Sequence, residues 1–150
     1  MLVASALLLA AVVVSAAVSA APGGKAGDRT HLRLPDRKDD RPFSDAVIVG
    51  KTIYLAGKLG LDATGKPPAE GAAEARLVMD RVKGTLEAAG ATMDDLVSVQ
   101  VFCSDLAQYE TFNKVYASYF TKSHPARAFI GSGPLLFGAR FEVLAIAVKP

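Results

Sequence analysis

Hydrophobic and polar positions follow two different periods in the first half of the chain. Two short β-rich runs, 46–50 and 52–57, are separated by one lysine and predict a hairpin, with a glycine marking the turn. From about 70 to 89, small and aliphatic residues recur at steps of three and four, while charged residues take the other faces. This spacing predicts a helix, and Gly90 stands where a glycine commonly ends one.

The second half of the chain continues with the same two signals. Residues 92–95 resemble a capping box that opens a single helical turn. The run 96–103 alternates between apolar and polar residues, which predicts a half-buried strand. A second helix is expected over 105–120, where the initial aspartate can cap it. Two strands, 126–131 and 140–148, complete the predicted order β-β-α-β-α-β-β.

Two helices of this length are best buried side by side on one face of a single mixed sheet, which is an α+β sandwich of two layers. An aromatic stripe on the second helix is expected to pack against the sheet, and it consists of Tyr109, Phe112, Tyr116 and Tyr119. The strands 46–57 and 141–148 are apolar on both sides, although two helices cover only one layer. We therefore expect the other face to form a closed homo-oligomer with sites between subunits.

The N-terminal part of the chain has the composition of a targeting segment. Residues 1–21 carry no charge, and an aliphatic run is followed by small residues, which is typical of a secretory signal. This predicts a periplasmic or secreted protein with no lasting membrane insertion. A basic n-region is missing, so an upstream start, a weak signal or a retained anchor are alternatives. Residues 22–41 are predicted to be a charged, partly disordered lead-in, and 42–150 to be one domain.

Charge and cysteine usage exclude several classes of function. The chain has 17 basic and 15 acidic residues and a net charge of +2, and its basic residues are scattered. Nucleic-acid binding normally requires a clustered basic face, so nuclease activity is disfavoured. Cys103 is the only cysteine and lies on the apolar side of its strand, together with Val97, Val99 and Val101. We expect it to be a small core residue, and we predict neither a metal nor a cofactor.

A single arginine at the mouth of an apolar strand is the strongest candidate for chemistry. Arg127 opens the predicted strand 126–131, directly after His124 and Pro125. A guanidinium group stays charged at any biological pH and offers a planar fork of donors. Beside a dry pocket it is therefore suited to bind a carboxylate through two hydrogen bonds.

Five segments in order resemble the RidA (YjgF-type) family of enamine/imine deaminases. They are Arg41-Pro-Phe-Ser-Asp-Ala-Val47, Leu55-Ala-Gly-Lys-Leu-Gly-Leu-Asp62, Asn113, Pro125-Ala-Arg127 and Phe141-Glu-Val-Leu-Ala-Ile-Ala-Val148. Each match alone is weak, but five at compatible spacings are specific. The resemblance covers about 41–149.

The resemblance implies a chorismate-mutase-like subunit and a homotrimer whose sheets pack into a central β-barrel, with clefts between subunits. Members of the family hydrolyse reactive 2-imino acids, such as 2-iminopropanoate and 2-iminobutanoate, to 2-keto acids and ammonia. By this resemblance Arg127 binds the substrate carboxylate. The expected substrate site also includes Phe43, Gly57, Asn113, Phe129 and Leu144.

Three of these positions depart from the pattern of active members. Phe43 replaces a tyrosine, Phe129 a cysteine, and Leu144 the glutamate thought to activate the attacking water. Loss of a positioned acid/base group typically costs about a hundred- to ten-thousand-fold in rate. Strand alternation places Glu142 on the same face as Leu144, about 6.6 to 7 Å away. We offer the hypothesis that Glu142 or a backbone carbonyl holds the water. The alternative is that Glu142 pairs with a basic neighbour at a subunit boundary.

Two functions follow from these residues. The first is an imine or enamine deaminase that holds its substrate through Arg127. The second is a trimeric binding module that keeps the carboxylate cleft but has lost hydrolysis, as Leu144 suggests. Phe43 and Phe129 are expected to make the cleft more apolar, which favours a larger or aromatic ligand.

Overall fold

The computed structural model describes residues 29–35, 37 and 40–150. The predicted signal segment, 1–21, therefore lies outside the described residues. The described residues form strands β1 Arg29–Leu32, β2 Ala46–Val49, β3 Thr52–Leu59, β4 Leu96–Cys103, β5 Ala126–Gly131 and β6 Phe141–Val148, and helices α1 Gly71–Ala88 and α2 Tyr109–Ala117.

One mixed sheet contains all six of these strands, in the order β1-β2-β3-β6-β4-β5. Neighbouring strands are antiparallel except β4 and β5, which are parallel. Helix α1 packs against α2, β3 and β6, and the Phe112 ring of α2 contacts Phe129 on β5 and Phe141 on β6. The predicted α+β architecture, with two helices on one face of a mixed sheet, is confirmed.

Local turn chemistry sets the boundaries of the first hairpin and the first helix. Gly50 has a φ of +58° at the two-residue turn between β2 and β3, a position where glycine avoids the clash that a side chain would cause. At the end of α1, Gly90 has a φ of +76°. The Gly90 and Ala91 N–H groups donate to the carbonyls of Glu87 and Leu86, which is the hydrogen-bond pair of a Schellman motif. Both glycines therefore lie where the sequence predicts them, Gly50 at the hairpin turn and Gly90 at the end of the first helix.

The structure differs from the predicted elements at three places. Strand β1 lies in the segment predicted as a charged lead-in, because the edge of β2 accepts it as an antiparallel partner. The segment predicted as one long helix begins with a separate 3₁₀ turn capped by Asp105, and α2 ends at Ala117. Val97, which the alternation predicts on the apolar side of its strand, is 46% exposed, because a register shift between Leu96 and Ser98 turns Leu96 inward.

The core lies between the sheet and the two helices. Strand β6 alternates strictly, and its inward residues Phe141, Val143, Ala145 and Ala147 are buried. Cys103 is also buried, its thiol contacts the Asp105 carbonyl, and burial raises the pKa of that thiol. Cys103 is therefore a core residue, as predicted. Because a thiolate is the reactive form, the raised pKa also argues against a nucleophile.

The helix-free face of the sheet is largely apolar. It carries Tyr54, Phe102, Ile130, Leu144, Ile146 and Val148, which are half-buried or exposed. No described part of the chain forms a second layer over these residues. Neither helix in the described part of the chain is long and apolar enough to cross a bilayer.

A buried carboxylate ties the segment before α1 to the start of β6. Glu74 on α1 is fully buried and accepts hydrogen bonds from the backbone N–H groups of Arg140 and Phe141 and from the Arg140 guanidinium. Arg140 also donates to the carbonyls of Pro68 and Ala69. This network fixes the start of β6, the strand that carries Glu142 and Leu144.

Candidate functional site

Arg127 lies on the edge strand β5, on the face that α2 covers. One of its guanidinium nitrogens donates to Asn113 Oδ1 over 2.7 Å. The guanidinium carbon lies 4.5 Å from the ring centroid of Tyr116 and 5.7 Å from that of Phe129. Aromatic faces attract a cation, and the Asn113 oxygen fixes one edge of the guanidinium. The arginine is therefore held in place by neutral groups.

No carboxylate among the residues that the structure describes forms an ion pair with Arg127. This excludes, within the described chain, an ordinary structural salt bridge at this position. A cavity of about 290 Å³ lies beside the guanidinium, lined by Asn113, Tyr116, Ala117, His124, Pro125 and Arg127. A cation with spare donors at the wall of such a cavity has the chemistry to hold an anion.

Tyr116 forms the floor beside the guanidinium. Burial raises the pKa of its hydroxyl to about 12, although the positive charge of Arg127 opposes the shift. The hydroxyl therefore stays neutral at ordinary pH. It is buried and has no hydrogen-bond partner among the described residues. Leaving a buried hydroxyl without a partner costs about 1–3 kcal/mol of stability.

Glu142, Gly57 and Phe43 line a second and larger cavity of about 930 Å³. Glu142 lies on the helix-free face of β6, where no side chain within the described ranges forms a hydrogen bond or ion pair with it. Its carboxylate lies directly over Gly57, since a Cβ built at that glycine would be 2.1 Å from Glu142 Oε1. The absence of a side chain at position 57 therefore makes room for the acid.

Phe43 lies at the rim of this larger cavity and is 46% exposed. The guanidinium carbons of Arg37 and Arg41 lie 4.5 Å and 5.4 Å from its ring centroid. Phe43 gives the rim an aromatic surface, and its ring stacks with two cations. The rim therefore combines an aromatic ring with two positive charges.

A buried charge network lies behind Phe43. The Asp45 carboxylate accepts hydrogen bonds from Lys58 Nζ at 2.9 Å, from Arg37 at 3.3 Å and from the Leu34 N–H at 3.1 Å. Burial by itself raises the pKa of Asp45, but these hydrogen bonds outweigh it and the pKa is lowered. Because Arg37 also stacks on Phe43, the network connects the core to the cavity rim.

Leu144 and Phe129 lie in different surroundings. Leu144 is half-buried on the helix-free face, opposite Gln100 and two residues from Glu142. The Phe129 ring packs against Tyr109 and Phe112 of α2, with centroid distances of 4.9 Å and 5.6 Å. Phe129 thus supports the wall next to Arg127.

The predicted site residues therefore form two groups within one chain. Arg127, Asn113 and Phe129 lie together on the helix-covered side of β5. Glu142 and Leu144 lie on the opposite face of β6, and Glu142 shares the larger cavity with Gly57 and Phe43. A single copy of the described chain does not bring the two groups into one cavity.

Sequence reasoning missed several residues of these cavities. His124 and Tyr116 share the smaller cavity with Arg127. Arg37, Asp45 and Lys58 form the network behind the larger one. His124 lies within the His-Pro-Ala-Arg segment that drew attention to Arg127, so its position beside the arginine was a usable signal. No sequence motif indicates the Asp45 network, because its members are far apart in sequence.

Among the residues that the structure describes, no group of three or more His, Cys, Asp or Glu side chains is arranged to hold a metal ion. The chemistry available is that of a fixed guanidinium, a carboxylate, an imidazole and backbone groups.

Comparison with known proteins places the chain in a family. Residues 37–149 match the family model described as Endoribonuclease L-PSP. The 2-iminobutanoate/2-iminopropanoate deaminase of Bos taurus is 40% identical over 110 residues, which are 72% of this chain and 80% of that protein. The solved YjgF gene product from E. coli has a TM-score of 0.70 and 34% identity, covering 75% of this chain and 91% of that chain. E. coli TdcF with bound serine has a TM-score of 0.70 and 30% identity, covering 73% and 89%.

These matches extend over the hairpin, both helices and the strands that carry Arg127 and Glu142. They agree with the family indicated by the sequence motifs. The chain belongs to the RidA (YjgF-type) family.

Proposed function

We propose that this protein hydrolyses small 2-imino or 2-enamino acids to 2-keto acids and ammonia, with the substrate carboxylate bound by Arg127. The observation that carries the proposal is the guanidinium group itself. It is oriented by Asn113 and by aromatic rings, it has no carboxylate partner in the described chain, and it faces a small cavity. Relatives named 2-iminobutanoate/2-iminopropanoate deaminase support this reaction class. Serine, which is bound in the TdcF structure, carries the same α-carboxylate.

The complete site is proposed to lie between two copies of the chain in a homotrimer. Arg127 and Glu142 line separate cavities of one subunit, so a cleft that uses both requires a neighbouring subunit. The uncovered apolar face of the sheet supports such an assembly, because exposed patches of this kind commonly mark interfaces. Arg127 of one subunit would then face Glu142 and Gly57 of the next.

Glu142 is proposed to accept a proton from the attacking water. Its carboxylate has no polar partner in the described chain and lies over Gly57, so it is available for this role. The water oxygen bonds to the carbon of the protonated imine, and the C=N electron pair moves to nitrogen. Glu142 takes one water proton, which leaves a neutral carbinolamine with one hydroxyl and one amino group. Leu144 on the same face has no group that could perform this transfer.

The experiment is an ammonia-release assay with 2-iminopropanoate and 2-iminobutanoate generated in situ. The wild type should exceed the spontaneous rate of hydrolysis. Arg127→Ala should lower kcat/KM by about ten- to a hundred-fold or more, the equivalent of one lost charged hydrogen bond. Arg127→Lys is the matched control, because it keeps the charge but loses the planar fork. No activity in the wild type, with a gain in Leu144→Glu, would refute the proposal.

A trimeric binding module is the second candidate, and Leu144 is the observation that favours it. The anion-binding arrangement at Arg127 does not depend on Leu144, which lies on the other face of the sheet. The binding module predicts that 2-oxobutanoate binds to the wild type in calorimetry and not to Arg127→Ala, while ammonia release stays at the spontaneous rate. Hydrolysis by the wild type would exclude it.

A further inference from the structure

His124 is a titratable side chain in the same cavity as Arg127, and the reaction proposed above does not use it. Its ring packs beside two aromatic rings, with centroid distances of 5.3 Å to Phe120 and 6.4 Å to Tyr116. The planes of His124 and Tyr116 differ by 22°. These contacts hold the imidazole at the cavity wall.

The polar atoms of His124 are available for a ligand. Neither ring nitrogen forms a hydrogen bond or ion pair with any residue in the described part of the chain. The other histidine of the protein, His31, differs in this respect, since its Nδ1 lies 3.0 Å from Ser44 Oγ. His124 is also exposed, so protons can exchange with solvent.

The position of His124 relative to Arg127 suits a substrate with an α-carboxylate. Both groups lie beside the Tyr116 ring, and both line the 290 Å³ cavity. In a 2-imino acid, the nitrogen is bonded to the carbon that carries the carboxylate. A carboxylate bound by Arg127 therefore places the reacting nitrogen inside the cavity that contains the imidazole.

We propose that His124 is the general acid that protonates the departing nitrogen. This inference rests on the proposed function. The imidazolium donates its N–H proton to the amino nitrogen of the carbinolamine. The C–N bond breaks, and its electron pair leaves with ammonia. The hydroxyl oxygen forms the C=O bond and loses its proton to Glu142, which has released its first proton to solvent. Water then reprotonates His124.

The charges around His124 support a coupling between substrate binding and protonation. Arg127, on the same segment of chain, is the charged side chain of the cavity wall. From α2, Tyr116 and Asn113 face the cavity, and both are neutral. In the free site the guanidinium opposes a second positive charge. A bound carboxylate neutralises Arg127 and favours the imidazolium when the acid is needed.

The experiment compares the pH dependence of kcat in the wild type and His124→Gln. In the wild type, kcat should fall on the alkaline side of the profile, because the general acid is active only while it holds its proton. His124→Gln should lower kcat by about a hundred- to a thousand-fold, change KM by less than about threefold, and lose this limb of the profile. His31→Gln is the matched control and should keep the wild-type kcat and profile.

Chemical rescue separates a proton donor from a structural role. Free imidazole should restore part of the kcat of His124→Ala, and it should have no effect on Arg127→Ala. An active wild type together with an unchanged kcat and profile in His124→Gln would overturn this inference and leave the proposed function intact. A loss confined to KM would also overturn it, because the imidazole would then bind substrate without donating a proton. A wild type with no activity would overturn both proposals.

Discussion

Replacing Gly57 with alanine adds one methyl group where the Glu142 carboxylate lies. The new Cβ would be 2.1 Å from Glu142 Oε1 and 3.1 Å from the carboxyl carbon. The first contact is far too short, so one of the two groups must move. The glutamate moves more easily, because it is the end of a flexible side chain while Gly57 is backbone. We predict that Gly57→Ala displaces the carboxylate and leaves the sheet in place.

The size of the effect follows from the role proposed for Glu142. Displacing a general base should lower kcat by about a hundred- to ten-thousand-fold, which corresponds to about 2.7 to 5.4 kcal/mol in the activation barrier. The free energy of unfolding should change by less than about 1 kcal/mol, since replacing glycine mainly restricts the unfolded chain. Activity and stability therefore respond very differently to this substitution.

The assay measures ammonia release by the wild type, Gly57→Ala, Glu142→Gln and the double variant, with thermal unfolding of each. Gly84→Ala is the matched control. Gly84 lines the same cavity on α1, but a Cβ added there meets nothing within 4 Å. This control should keep the wild-type kcat, and an alanine in the helix should raise stability by up to about 1 kcal/mol.

The double variant distinguishes displacement of Glu142 from simple blocking of the substrate. If the methyl group at position 57 acts through the carboxylate, the double variant should have the same kcat as Glu142→Gln alone, because the two changes remove one function. A double variant whose loss is the product of the single losses would show that the methyl group excludes substrate. Wild-type turnover in Gly57→Ala would refute the role of Glu142 altogether.

Two further predictions concern stability. Burial opposes ionisation of Asp45, but its hydrogen bonds outweigh burial and lower its pKa. The ionised carboxylate therefore stabilises the fold above about pH 3.9, and this contribution is lost as the pH falls through the lowered pKa of Asp45. Asp45→Asn should cost about 3 to 5 kcal/mol at pH 7, because Lys58 stays buried without a carboxylate, and this gap should narrow below about pH 4. A constant gap in urea unfolding between neutral and acidic pH would contradict this account. Phe112 is fully buried against three aromatic rings, so Phe112→Ala should lower the free energy of unfolding by about 3 to 5 kcal/mol in urea unfolding. A decrease of less than about 1 kcal/mol would contradict its place in the core.

Elements with strong local signals were predictable from the sequence. The hairpin and α1 combine a clear hydrophobic period with a glycine at each ending, so Gly50 and Gly90 lie where expected. Strand β1 has no comparable pattern, and it is a strand only because the edge of β2 pairs with it. Strand pairing also explains why Leu96 faces the core and Val97 does not. A register shift against β6 decides which side chain faces the core.

The sequence makes Arg127 a candidate site residue, because a lone arginine before an apolar strand is chemically distinctive and its motif is specific. The sequence does not show that the groups around Arg127 are neutral. The Asn113 oxygen and the Tyr116 ring reach it through the packing of α2 on β5. Only this packing shows that, within the described chain, Arg127 contacts neutral groups and forms no salt bridge.

The order of residues is enough to predict the main elements, the family of the chain and the residue types of the candidate site. Which of those residues meet depends on the fold. It places Arg127 with His124 on one side of the sheet and Glu142 over Gly57 on the other. Motifs record order along the chain, whereas contact depends on strand register and on the face to which each side chain points.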